Sequence, residues 1–112
     1  MWVFTETGFV SAVRTSPGSD VIRVRSRDAV SLESIVELCG VEISHTPPRD
    51  YPYRVEISTA DFAKFLTWAV LNMDYTNFKS HVHTTRGSDF AHTLTGVWSI
   101  MHDIEDDEAR IA

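Results

Sequence analysis

Within the segment Val21-Ile22-Arg23-Val24-Arg25-Ser26-Arg27, apolar Ile22 and Val24 alternate with Arg23, Arg25 and Arg27. Only an extended strand sorts such a run, sending Ile22 and Val24 to one side and Arg23, Arg25 and Arg27 to the other. Ser16-Pro17-Gly18-Ser19-Asp20 stands just before it and is a turn signal, since proline fixes φ and glycine permits positive φ. Before that turn runs Phe-Val-Ser-Ala-Val-Arg, residues 9–14, with Phe9 and Val13 on one face. Residues 9–14 and 21–27 are therefore expected to form an antiparallel hairpin.

The rest of the chain alternates between strand and helix signals. Trp2 to Thr5 is a short apolar start, and Glu6-Thr7-Gly8 is turn-like. Asp28 or Ser31 is expected to cap a helix. Leu32, Ile35, Val36 and Cys39 fall at helical spacing within it, and Gly40 stands just past its end. Thr46-Pro47-Pro48-Arg49-Asp50 is a loop, and Tyr51 to Ser58 is a further strand with Tyr53, Val55 and Ile57 on one face. Ser58-Thr59-Ala60-Asp61 opens a second helix. Its stripe of Phe62, Phe65, Leu66, Ala69, Val70 and Met73 is expected to face the core. Tyr75, Phe78 and Val82 suit a short third helix, with Asp74 as its cap and Gly87 near its end. A last helix from Ser88 or Asp89 carries Phe90, Leu94, Val97, Trp98, Met101 and Ile104 as its stripe.

The element order is thus β-β-β-α-β-α-α-α. The expected class is α+β, an antiparallel sheet of three or four strands with helices on one face. A ferredoxin-like arrangement is suggested by the β-α-β-α stretch inside that order. The 112 residues suit one domain, read over residues 1–104 with a frayed acidic tail over 105–112. A chain that is 43% hydrophobic and 11% aromatic can fill a core. Net charge is −6, and five of the six residues 103–108 are acidic, so the body is close to neutral. Bulk attraction to nucleic acid is therefore not expected. A single cysteine excludes an internal disulfide and suits a reducing compartment. With no signal-peptide pattern and no long apolar run, the expected location is cytoplasmic, with no membrane association.

Met1-Trp2-Val3-Phe4-Thr5 with Gly8-Phe9, then Val24-Arg25-Ser26-Arg27, Asp74-Tyr75-Thr76-Asn77-Phe78-Lys79 and Val97-Trp98 form a recurring set. Together they resemble a group of short uncharacterised bacterial and bacteriophage proteins. Members open with a Met-Trp-x-Phe-Thr strand and carry an Asp-Tyr-x-Asn-Phe-Lys segment before a final helix. The resemblance implies a compact intracellular protein and assigns no activity.

Five sets of residues carry candidate chemistry. Arg23, Arg25 and Arg27, with Arg54 and Arg14 from neighbouring strands, could grip phosphates through their guanidinium forks. Sheet-face RNA-binding modules also need aromatics on that face, and the sequence places none there. A solvated face neutralised by Glu56, Glu6 and Asp28 is the plainer reading. His81, His83 and Arg86 supply the residue types of a metal-free nuclease or hydrolase. On a helix, however, His81 and His83 diverge by ~160°, and no metal spacing occurs among the histidines. Cys39 reads as a buried thiol with a raised pKa. Trp68 and Leu71, off the stripe of the second helix, offer an apolar contact patch, and Asn77 and Lys79 offer polar groups to a partner. The acidic run at residues 103–108 reads as a solubilising terminus. With no catalytic constellation and no cofactor motif, the leading expectation is an interaction module without catalytic activity. It would bind a protein partner or a second copy of itself, with nucleic-acid binding and a small hydrolase as alternatives.

Overall fold

In the computed structural model, residues 1–106 are described. Within the span read from sequence as one domain, the chain forms two compact units, Met1–Asp74 and a second beginning at Tyr75. The acidic tail lies outside the described residues from 107 onward.

The first unit is an antiparallel sheet with helices on one side. Its strands are β1 (Trp2–Thr5), β2 (Gly8–Arg14), β3 (Val21–Ser26), β4 (Ser44–His45) and β5 (Tyr53–Ser58). Their spatial order is β1-β2-β3-β5-β4. The sheet thus has five strands rather than three or four. The addition is the two-residue β4, whose polar, exposed residues carry no alternating pattern. The expected hairpin forms, with Ala12 opposite Val24 and Val13 opposite Arg23. The ferredoxin-like order is not confirmed.

Period two decides which residues enter the core. Val10 and Ala12 of β2, Ile22 and Val24 of β3, and Val55 and Ile57 of β5 are buried on one face. A 3₁₀ turn at Val30–Leu32 leads into α1 (Glu33–Cys39), and α2 (Thr59–Leu71) follows β5. Leu32, Ile35, Phe62 and Phe65 from these elements complete the core. Leu32, Ile35, Val24 and Phe65 lose all contact with solvent, each such burial being worth roughly 1.5–3 kcal/mol.

Local chemistry sets the helix ends. Asp28 Oδ1 accepts from the Ser31 amide and opens the 3₁₀ turn. The Ser31 hydroxyl is used elsewhere, accepting from the Phe9 amide. Gly40 closes α1 with φ 66° and ψ 37°, a left-handed cap that glycine adopts without a Cβ penalty. Ser58 accepts from the Asp61 amide at 3.1 Å and starts α2. The stripe of α2 is only partly buried: Phe62 and Phe65 enter the core, while Val70 and Met73 near the helix end are exposed.

The second unit contains α3 (Phe78–Arg86) and α4 (Ser88–Ile100), followed by a 3₁₀ turn at Met101–Ile104. The cap of α3 is Asn77, which accepts from the Ser80 amide at 2.9 Å, and not Asp74 as the sequence suggested. Val82, Ala91 and Leu94 are buried. The later part of the α4 stripe, Trp98, Met101 and Ile104, is exposed instead of buried. Among the described residues, no helix is long and apolar enough to cross a membrane.

Candidate functional site

The face of the sheet opposite the core carries the polar half of each strand. In register, Trp2 lies opposite Ser11, Ser11 opposite Arg25, Arg25 opposite Arg54, and Arg54 opposite Ser44. These residues form one row across all five strands. Direct cross-strand partners share a face, so their side chains emerge together. On one side of this row Phe4 lies opposite Phe9. On the other, Arg23 lies between Val13 and Glu56.

Aromatic rings therefore stand on the same face as the arginines, which the sequence did not reveal. Trp2 meets Phe9 edge-on at 5.8 Å, and Phe4 lies 4.8 Å from Phe9. Tyr51, just before β5, joins them at 6.3 Å from Phe9. Arg25 sits over the Tyr51 ring at 4.8 Å and Arg27 at 5.3 Å. Tyr51 thus links the aromatic corner to the cations through cation–π contacts. Trp2 is 69% exposed and Phe4 37%. Their apolar surface is open although the core beneath the sheet is complete.

The four arginines on this face differ in their partners. Arg23 pairs with Glu56 at 3.2 Å, and Arg27 pairs with Asp50 at 3.1 Å. Arg25 donates to the Ser11 hydroxyl at 3.0 Å. Neither Arg25 nor Arg54 has a carboxylate partner among the described residues. The Nε of each is buried without an acceptor. A buried donor left unmade costs roughly 1–3 kcal/mol, and like charges directly opposite on neighbouring strands repel. Arg14 does not join them. It falls on the side of Val10 and Ala12 and donates to the Ser19 carbonyl. Asp28 accepts from the Ser31 amide, while Glu56 and Asp50 pair with Arg23 and Arg27.

The remaining candidates are dispersed. His81 and His83 both lie on α3, so their side chains diverge as helical spacing requires. His81 stacks on Tyr75 at 4.5 Å, and Arg86 lies over Phe90 at 4.1 Å. His83 instead lines a groove with Lys79 and His92. That pairing joins residues of two helices, which sequence spacing does not show. Trp68 packs against the core beside Phe65 and is half-buried, whereas Leu71 is 79% exposed. Asn77 is used as a cap, and Lys79 lies 5.9 Å from the centre of the Trp98 ring. Cys39 is half-buried rather than buried. Its pKa is raised, first by burial and then by the Asp61 carboxylate, with Lys64 opposing.

The arginine and aromatic face therefore brings cations without carboxylate partners among the described residues together with exposed rings. Comparison with protein-family models, curated proteins and solved structures found no match to this chain.

Proposed function

We propose that the outer face of the sheet binds single-stranded nucleic acid. The observation that carries this reading is the row Trp2–Ser11–Arg25–Arg54–Ser44, with a stacking surface at one end and two unneutralised guanidinium groups towards the other. Bases stack on exposed rings for roughly 1–3 kcal/mol each. Guanidinium forks match phosphate oxygens and hold them in bidentate pairs. Trp2 and Phe4 would take the bases, and Arg25 and Arg54 the backbone. A duplex hides its base faces and could not use the rings, so a single strand is the better ligand. The acidic chain as a whole keeps indiscriminate attraction low. Such a protein would work in the cytoplasm, which the lone cysteine suits.

The test is fluorescence anisotropy with labelled single-stranded RNA and DNA of mixed sequence at low salt. Binding is expected for the native chain and should disappear in an Arg25→Ser, Arg54→Ser double variant that keeps its circular dichroism spectrum. Absence of binding by the native chain at low salt overturns the reading.

A second reading is self-association. Val70, Leu71 and Met73 at the end of α2 are all more than half exposed, an apolar grouping that a second copy would cover. A strictly monomeric mass by light scattering at high concentration removes it.

A further inference from the structure

We propose that Arg25 and Arg54 form a pocket for a phosphate monoester, so that the site holds a nucleic-acid strand by a phosphorylated end. This deepens the single-strand reading and rests on it. The argument is one of charge. Glu56 and Asp50 pair with Arg23 and Arg27, which leaves the register partners Arg25 and Arg54 with no carboxylate partner among the described residues. Arginine does not lose its proton in a protein, so both charges are permanent. A backbone diester brings one negative charge, so matching both cations takes two phosphates of the strand. A terminal monoester brings nearly two charges, together with three strongly accepting oxygens. Register partners on neighbouring strands stand close enough for their two forks to share those oxygens, with Arg25 giving up its bond to Ser11.

The surroundings support a terminus over the middle of a strand. Ser44 ends the row beyond Arg54 on the short edge strand. Glu42 lines the hollow next to Arg54, and its charge disfavours a backbone continuing past that edge. In the other direction the row leads through Ser11 to Trp2, ~10 Å from Arg25 at the usual strand spacing. A strand held by its end at the arginines would therefore run towards the aromatic corner, where its bases can stack on Trp2 and Phe4.

The experiment uses the full chain and three oligonucleotides of one short sequence: 5′-phosphorylated, 3′-phosphorylated, and with hydroxyls at both ends. Isothermal titration measures each affinity. A phosphate at one end should raise affinity at least tenfold over the hydroxyl-ended strand, and the preferred end gives the strand polarity. Arg54→Gln should erase the preference, Arg54→Lys should keep the charge yet lose most of it, and Arg23→Gln should retain it. Equal affinity for all three oligonucleotides overturns the monoester pocket while leaving the single-strand reading intact. Failure of all three to bind overturns the single-strand reading itself. A preference that survives Arg54→Gln in a folded variant also overturns the proposal, because the end is then read elsewhere.

Discussion

Arg25 on β3 and Arg54 on β5 are direct register partners, and each buries its Nε without an acceptor. Two like charges in this relation weaken the sheet that holds them. Arg54→Gln removes one charge and one orphaned donor while keeping much of the side-chain stem. It should stabilise the free protein by about 0.5–1 kcal/mol, and so raise the thermal midpoint by a few degrees. The gain should shrink in high salt, where the repulsion is already screened. Thermal melts of the native chain and the variant at two salt concentrations check this. An equal or lower midpoint for the variant at low salt would show that Arg54 stabilises the sheet.

Trp2 tests the other end of the row. Its ring is largely exposed and touches Phe9 only by an edge, so little folding energy depends on it. Trp2→Ala should change stability by less than about 1 kcal/mol, yet weaken single-strand binding by about 1–3 kcal/mol, the worth of one stacked base. Paired denaturant melts and binding titrations separate the two effects. A large loss of stability with unchanged binding would make Trp2 structural.

Salt dependence counts the cations that meet phosphate. Among the described residues Arg25 and Arg54 have no carboxylate partner, whereas Arg23 and Arg27 are paired with Glu56 and Asp50. On a hydroxyl-ended strand, with one backbone phosphate at each of the two arginines, the slope of log K against log salt should be about −1.4. Glu56→Gln frees Arg23 and should steepen that slope by about 0.7. A native slope already near twice the expected value would mean that the ion pairs open on binding.

The strands and helices were legible because periodicity is local. Alternation fixed Ile22 and Val24 inside and the arginines outside, and Gly40 ended α1 where its position predicted. The candidate site was legible only in half. Arg23, Arg25, Arg27 and Arg54 share a face as read, but Trp2, Phe4 and Phe9 join them through the register of β1 with β2 and β2 with β3. Register is a long-range choice that no single segment displays. The missed strand β4 has too few residues to show a period, and its side chains pack no core. The α2 and α4 stripes were over-read for the opposite reason. Apolar spacing says which residues can be buried together, but a helix can run beyond its support, as at Val70, Met73 and Ile104. Asp74 and Asn77 are both competent caps. Only the starting point of α3 chooses between them.

Ser26 ties the sheet's strand ends together and should be costly to alter. Its buried hydroxyl donates to the Phe9 carbonyl at 2.6 Å, across a sequence separation that spans the whole hairpin. Ser26→Ala leaves that carbonyl without the bond and should cost about 1–3 kcal/mol. Because Phe9 supports both Trp2 and Phe4, loosening it should also weaken single-strand binding. Urea melts and titrations on one variant measure both, and a change under 0.5 kcal/mol in stability would show that water replaces the hydroxyl.

Cys39 gives the chain a pH dependence whose sign follows from its surroundings. The thiol lies half-buried with Sγ 4.0 Å from the Asp61 carbonyl oxygen. Burial disfavours the thiolate first, the Asp61 carboxylate adds to this, and Lys64 partly offsets it, so the pKa is raised. The folded protein therefore keeps its proton at a pH where the unfolded chain, near an ordinary value of about 8.5, gives it up. The resulting stability is fully present below that ordinary value and is lost as pH rises through the raised one. Alkylation follows the thiolate, so the native thiol should react more slowly at pH 8.5 than the thiol of the urea-unfolded chain. Lys64→Ala should slow it further, and Asp61→Asn should speed it. The rate of iodoacetamide labelling against pH checks all three. A native profile coinciding with that of the unfolded chain would mean that Cys39 is fully solvated and that neither neighbour acts on it.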